Sequence, residues 1–369
     1  MKAIYLFCLI VFSLSCTSST DFVDETENPT EETPETPTNS TLYFPPINSE
    51  NWETATPESL GWHTENIDVL DEFLEQSGTK AFIILSKGKI ILEKYYNNSE
   101  ATDNLPWNSA GKALTAFSTL QAAENNLIHL DDPTTNYLGA AWTNMTPEQE
   151  QNITIRHQMT MTSGGDFTVE NTSCTDPECL NYLNDPDTNW YYHNAFYSLL
   201  QQVLNNAIPD GFDSYFETKL KNKIGMNGAW IQLGYVRVYF STARSMARFG
   251  LLNLSKGIWD TEELLSAELV TESQTSSQDL NPAYGYLWWL NGKSNYKLPT
   301  LNATFNGELI PNAPADLVAG LGKNDQKLYV VPSKDLVIVR MGDASDAELQ
   351  GPSGYDNELW EKLNLVFGD

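Results

Sequence analysis

Ser109 and Lys112 stand three residues apart at the start of an apolar, Ala- and Leu-rich run, Ser109 to Ala123, that reads as a helix. At that spacing both side chains lie on one helix face, one turn apart. A serine hydroxyl is a weak nucleophile at neutral pH, and a neighbouring amine that can lose its proton makes it a strong one. The pair could therefore open an ester or amide by acyl transfer. A Ser-x-x-Lys alone also describes an ordinary helix start with a solvated lysine, so its weight depends on the rest of the chain. Metal chemistry has less behind it. His63, His129, His157 and His193 lack metal-ligand spacing and read as surface or structural, and no metal or organic cofactor is implied.

A nucleophile needs a scaffold. Ala81 to Tyr96 reads as a β-hairpin turning at Ser86 to Lys89, and Lys327 to Met341 as a second turning at Pro332 to Asp335. Helical spacing marks Ile67 to Leu74, and an apolar stripe at 359, 360, 363, 366 and 367 marks a last helix. The chain between the hairpins is mostly helical in pattern. This predicts an α+β fold, an antiparallel sheet flanked by terminal helices, with a largely helical insertion over roughly 105–260.

The N-terminal residues bear on the compartment. Met1-Lys2 followed by apolar Ala3 to Leu14 reads as a signal peptide over 1–16, too short to span a membrane. Ser13-Leu14-Ser15-Cys16 resembles a bacterial lipobox, although a serine stands where leucine is usual, and makes Cys16 a candidate lipidation site. Residues 17–46 are rich in Thr, Pro, Glu and Asn and hold no Lys or Arg, as expected of a disordered acidic tether. An exported, lipid-anchored protein of the bacterial envelope, periplasmic or at the cell surface, is the expectation. The net charge of −28 argues against nucleic acid as a partner. Cys174 and Cys179, with an Asp-Pro turn between them, are expected to close a small disulfide loop.

Several segments of 47–369 match one family, in order. Trp107-Asn-Ser-Ala-Gly-Lys112 resembles its nucleophile motif. Leu127-Ile-His-Leu-Asp-Asp132, Ile153 to Gly165, Ser241 to Gly250 and Tyr284 to Trp289 resemble its "G-x-L-x-L-D-D-P", "I-T-I-R-H-L-L-T-M-T-S-G", "S-T-A-R-D-L-A-R-F-G" and "Y-G-Y-L-W-W" elements, the last a strand. The chain thus resembles the serine β-lactamase and penicillin-binding-protein superfamily, in its class C-like branch of esterases and peptidases. The resemblance implies that Tyr192-His193-Asn194 is the family's Tyr-x-Asn, lying on a loop beside the serine. Near a cationic lysine the Tyr192 phenol would favour its phenolate form and relay the serine's proton. Asn194 would donate to a substrate carbonyl. A buried aromatic cluster is the alternative reading, since Trp190, Tyr191, Phe196 and Tyr197 are close by, and Tyr191 is the competing ring.

The family's third motif, Lys-Thr-Gly or His-x-Gly, is not matched. Gly320-Leu321-Gly322 stands there, with Lys323 one residue beyond. The glycines would admit close approach of a substrate, and the strand could offer an N–H to an oxyanion hole with Ser109. An ordinary turn before a strand reads equally well. The missing cation disfavours carboxylate-bearing substrates such as penicillins. The expectation is a serine hydrolase acting through an acyl-enzyme on a small-molecule or peptide-like substrate, esterase-like in preference. A β-lactamase or D,D-peptidase, and a non-catalytic envelope-tethered binding domain of the same fold, stay open. A carbohydrate-binding surface on the ten tryptophans has only composition behind it.

Overall fold

A computed structural model describes residues 42–345 and 352–368. The signal, Cys16 and most of the acidic tether lie outside the described residues. The central element is a six-stranded sheet in the order Lys89–Tyr95, Thr79–Ser86, Leu336–Gly342, Gln326–Val331, Val318–Gly322, Trp289–Leu290. All five pairings are antiparallel. The first hairpin turns through Lys87 and Gly88, both at positive φ, as a two-residue turn that matches strand twist requires. Both hairpins and the last helix, Gly354–Phe367, form where the sequence pattern places them.

The inner strands are buried on both faces because both are covered. Along Gln326–Val331 the side chains alternate. Tyr329 packs edge-on against Trp360 of the last helix, with ring centroids 5.8 Å apart. Its neighbour Leu328 faces the other way, towards the helix Ala243–Leu254. That helix lies close enough that a Cβ on Gly250 would meet Val337 and stand 2.8 Å from a Leu328 methyl. The terminal helices Ile67–Gln76 and Gly354–Phe367 pack together on the first face, where Phe73 stacks on Tyr355 at 5.3 Å.

The block over 105–260 is not uniformly helical. It holds a three-stranded antiparallel sheet, Leu105–Pro106, Val236–Ser241 and Ala229–Leu233 in that order. Pro106, which cannot donate to a ladder, sits on an edge strand. The helix Ala243–Leu254 belongs to the main sheet's face. Between sheet and insertion runs Lys112–Glu124, buried all round from Lys112 to Ala122, so its many alanines and small hydroxyl side chains suit the space.

Tyr284 to Trp289 is not a continuous strand. Leu287 takes φ 61°, and the Leu287 N–H reaches back to the Gly285 carbonyl. The chain therefore loops, and only Trp289–Leu290 joins the sheet. Left-handed backbone at a leucine opposes strand geometry, whatever the aromatic content around it.

Candidate active site

Ser109 lies not in an α-helix but in a 3-10 turn, Asn108–Gly111, that leads into the α-helix at Lys112. With three residues per turn, side chains at i and i+3 eclipse. The Lys112 Nζ consequently lies 2.9 Å from Ser109 Oγ. The turn is fixed on two sides. Trp107 donates its N–H to the Tyr239 carbonyl at 2.8 Å and its indole Nε1 to Ser241 Oγ at 2.7 Å. Asn108 takes the left-handed φ of 48°, which Asn tolerates better than most residues, and its Nδ2 donates to the Lys323 carbonyl at 2.7 Å.

The strand Val318–Gly322 runs against this turn. A Cβ at Gly320 would stand 3.3 Å from the Ala110 carbonyl, and one at Gly322 only 2.5 Å from that of Trp107. The two glycines therefore let the strand backbone approach the nucleophile turn, and any side chain at 322 would force them apart.

Lys112 is 2% exposed. Its Nζ donates also to Asn194 Oδ1 at 3.0 Å, and it lies 3.9 Å from the Tyr197 ring centroid and 4.5 Å from that of Tyr192. Burial drives its pKa well below the ordinary 10.5, with no acidic partner restoring it. An amine so shifted gives up its proton more readily than an exposed lysine does.

Tyr192 departs from expectation. Burial pushes its pKa far up, and the Ser109 hydroxyl only partly opposes the rise. The phenolate inferred for a phenol beside a cationic lysine is therefore not the resting form. Burial disfavours the charged form of the lysine as well, which weakens any charge pair between them. Tyr192 Oη lies near Ser109 yet short of a full hydrogen bond, and has no partner among the described residues.

Between them, His193 is buried and its pKa falls to about 4, because desolvation outweighs the bond of its Nε2 to the Asp166 carbonyl at 3.2 Å. It stays neutral and supports the loop. Tyr191, the competing ring, stacks on Phe167 at 4.2 Å and stands apart from the lysine's ring contacts.

The Ser109 hydroxyl opens on a cavity of about 140 Å³ whose walls include Asn108, Ser173, Asn194, Tyr197 and Lys323. Asn194 is the first residue of the helix Asn194–Ala207, and that end is held by the Ala195 N–H on the Thr172 carbonyl at 2.8 Å. Because Asn194 Oδ1 accepts a hydrogen bond from Lys112 Nζ, its amide nitrogen is left to meet a carbonyl in the cavity. Cys174 and Cys179 form a disulfide, with Cα atoms 5.8 Å apart, beside Ser173.

The residues picked from sequence, Ser109, Lys112, Tyr192, Asn194, Gly320, Gly322 and Lys323, thus gather in one place. Three others were missed. Tyr197 lies three residues beyond Asn194, hence on the same helix face, which periodicity could have shown. Ser173 and Asn108 carried no such signal, since a loop and a turn position them.

Residues 68–348 match the family model "Beta-lactamase". An uncharacterized protein of Alkalihalophilus pseudofirmus is 24% identical over 319 residues, covering 74% of this chain and 86% of its own. Among solved structures, a Bacillus anthracis protein described as a candidate 6-aminohexanoate-dimer hydrolase superposes with a TM-score of 0.65 at 17% identity, over 89% of this chain and 87% of its own. EstCE1, a hydrolase with promiscuous acyltransferase activity, gives a TM-score of 0.60 at 12% identity, over 84% and 99%. At those identities the structures speak for the fold alone. The family match spans most of the folded part, and with it the chain belongs to the hydrolytic β-lactamase family, within the serine β-lactamase and penicillin-binding-protein superfamily.

Proposed function

We propose that the protein is a serine hydrolase that works through an acyl-enzyme, with a preference for neutral ester or amide substrates. The observation that carries this reading is the buried Lys112 Nζ, 2.9 Å from Ser109 Oγ and without a carboxylate partner among the described residues. Neutral Lys112 takes the Ser109 proton as Oγ bonds to the substrate carbonyl carbon. The carbonyl electron pair moves to oxygen, where the Ser109 N–H and a backbone N–H at the end of Val318–Gly322 receive it. Ser109 sits in the first turn of its 3-10 segment, where backbone N–H groups have no partner within the turn. Tyr192 gives its proton to the leaving group as that bond breaks and regains one from the Lys112 ammonium. Water then attacks the acyl-enzyme by the same route.

The test is covalent labelling with a fluorophosphonate, together with turnover of a neutral aryl ester. Wild type should label and turn over, and Ser109→Ala should do neither. Equal labelling of the Ala variant, or none of wild type, sinks the hydrolase reading and leaves a binding domain. One observation favours β-lactam or D-peptide substrates: Lys323 lines the cavity with Ser109. Nitrocefin turnover above that of the ester, collapsing in Lys323→Ala, would establish that second reading.

We also place this enzyme at the bacterial envelope, held by a lipid on Cys16. The lipobox-like Ser13 to Cys16 and the lysine-free segment behind it support this. Cys16→Ser should move the protein from the membrane to the soluble fraction, and an unchanged partition would count against it.

A further inference from the structure

A second cavity, of about 310 Å³, adjoins the catalytic one. Tyr197 borders both. Ser173 and Val236 line the first, and Thr175 and Tyr235 line the second, so the same two chain segments wall the whole trough. One wall is the helix Asn194–Ala207, whose Gln202 and Asn205 are exposed into it. The opposite wall is latched: the Tyr235 hydroxyl donates to Asp176 of the disulfide loop at 2.6 Å.

The lining of the second cavity is polar but nearly free of charge. Its one ionic side chain is Arg237, which is bound to Asp213 by two bonds of 2.8 and 2.9 Å and to Gln201 at 3.3 Å. A guanidinium spent in this way does not select for a carboxylate. Four primary amides, Gln201, Gln202, Asn205 and Gln232, share the rest with hydroxyl side chains; Gln201 is engaged by Thr115 and Arg237, while Gln202 and Gln232 each spend a donor, on Asn206 and on the Gly234 carbonyl. A chain that offers N–H and C=O groups in turn can meet the donors and acceptors that remain at Gln202, Asn205 and Gln232, whereas an alkyl chain would cover them without replacing their water. Resting on the hydrolase reading above, we propose that the trough is an extended substrate subsite for an uncharged, amide-bearing chain, that it runs from Ser109 past Tyr197, and that Gln202 and Asn205 are its specificity-determining residues.

Binding to full-length Ser109→Ala protein tests this without requiring turnover. The probes are N-acetylglycylglycinamide, the corresponding free carboxylate, and heptanamide as an apolar chain of similar length, each titrated calorimetrically. The neutral triamide should bind at least about tenfold more tightly than heptanamide, a difference of about 1.4 kcal/mol, and no more weakly than the carboxylate. Gln202→Leu with Asn205→Leu, both at exposed helix positions, should erase that preference while the thermal midpoint stays within a few degrees. Equal or tighter binding of heptanamide, a preference for the carboxylate, undetectable triamide binding, or an unaltered preference in the double variant each overturns the subsite. Loss of fluorophosphonate labelling in wild type would instead overturn the hydrolase reading, so the two failures are separable.

Discussion

At the residue scale, the site depends on a lysine that the fold makes unhappy. Taking an ammonium out of water without an anion is unfavourable, and burial shifts Lys112 towards its neutral form. The folded chain thus binds fewer protons than the unfolded one at pH values between the depressed pKa and the ordinary value near 10.4, and stability rises with pH through that window. Two outcomes follow for Lys112→Met, which keeps the stem and removes the titrating amine. Turnover of a neutral aryl ester should fall by roughly two to four orders of magnitude, as when a general base is lost. The variant should also unfold at a higher temperature than wild type at pH 7, with the gain shrinking towards pH 10. Melting curves at pH 7 and 9.5 check this. A variant less stable at pH 7, or a gain that does not change with pH, would mean that Lys112 is not held neutral. The same balance explains why a phenolate at Tyr192 was the wrong expectation. Two residues on a motif suggest a charge pair, whereas burial, which no motif records, removes the charge from both.

At the element scale, the site is where four local decisions meet: a 3-10 turn, a glycine-bearing strand end, a helix N-terminus and a disulfide loop. The strands and helices behind them were legible because period and turn chemistry are local. Gly88 in its hairpin and the stripe at Leu359, Trp360 and Leu363 are examples. The 3-10 turn was not legible, since Ser109 to Ala123 is as compatible with a continuous helix. What tightens it is tertiary: Trp107 and Asn108 are pinned from outside the segment. Leu287 was hidden for the same reason. The disulfide loop was anticipated from cysteine spacing, but not its place on the wall of the cavity. It carries Ser173 and Thr175 there and accepts the Tyr235 latch through Asp176. Its closure is worth about 2 kcal/mol in chain-entropy terms, too little to decide folding of a domain this size. Replacing Cys174 and Cys179 together by Ser should therefore spare the fold. It should raise KM for amide-bearing substrates about three- to tenfold while kcat stays within about twofold. Parallel losses in kcat and KM, or none in either, would separate the loop from substrate binding.

At the scale of the whole molecule, two kinds of charge act in opposite senses. The chain carries a net charge of −28, and such an excess pushes the folded surface apart. Beneath it lies a buried ionic cluster that ties the last helix to the sheet. Lys327, fully buried, lies 2.8 Å from Asp356 and 3.2 Å from Asp325, and the Tyr329 hydroxyl donates to Asp356 at 2.5 Å. Burial alone would raise the Asp325 pKa. The Lys327 charge, with hydrogen bonds from Ser345 and Ser353, outweighs it and holds the carboxyl below its usual range. A depressed carboxyl pKa contributes stability that is present above the unfolded value of about 3.9 and is lost as pH falls through the folded one. Surface repulsion is screened over about 8–10 Å at moderate salt, whereas the buried cluster is not. Salt at about 0.5 M should therefore stabilise the protein at pH 7. In the same salt, Asp325→Asn should lose stability against wild type at pH 7, and that gap should narrow on acidification below about pH 4. Urea unfolding midpoints between pH 7 and 3, with and without salt, measure both effects. A gap that stays constant with pH would show that Asp325 does not titrate against Lys327. A gap that disappears in salt would place their interaction at the surface rather than in the core.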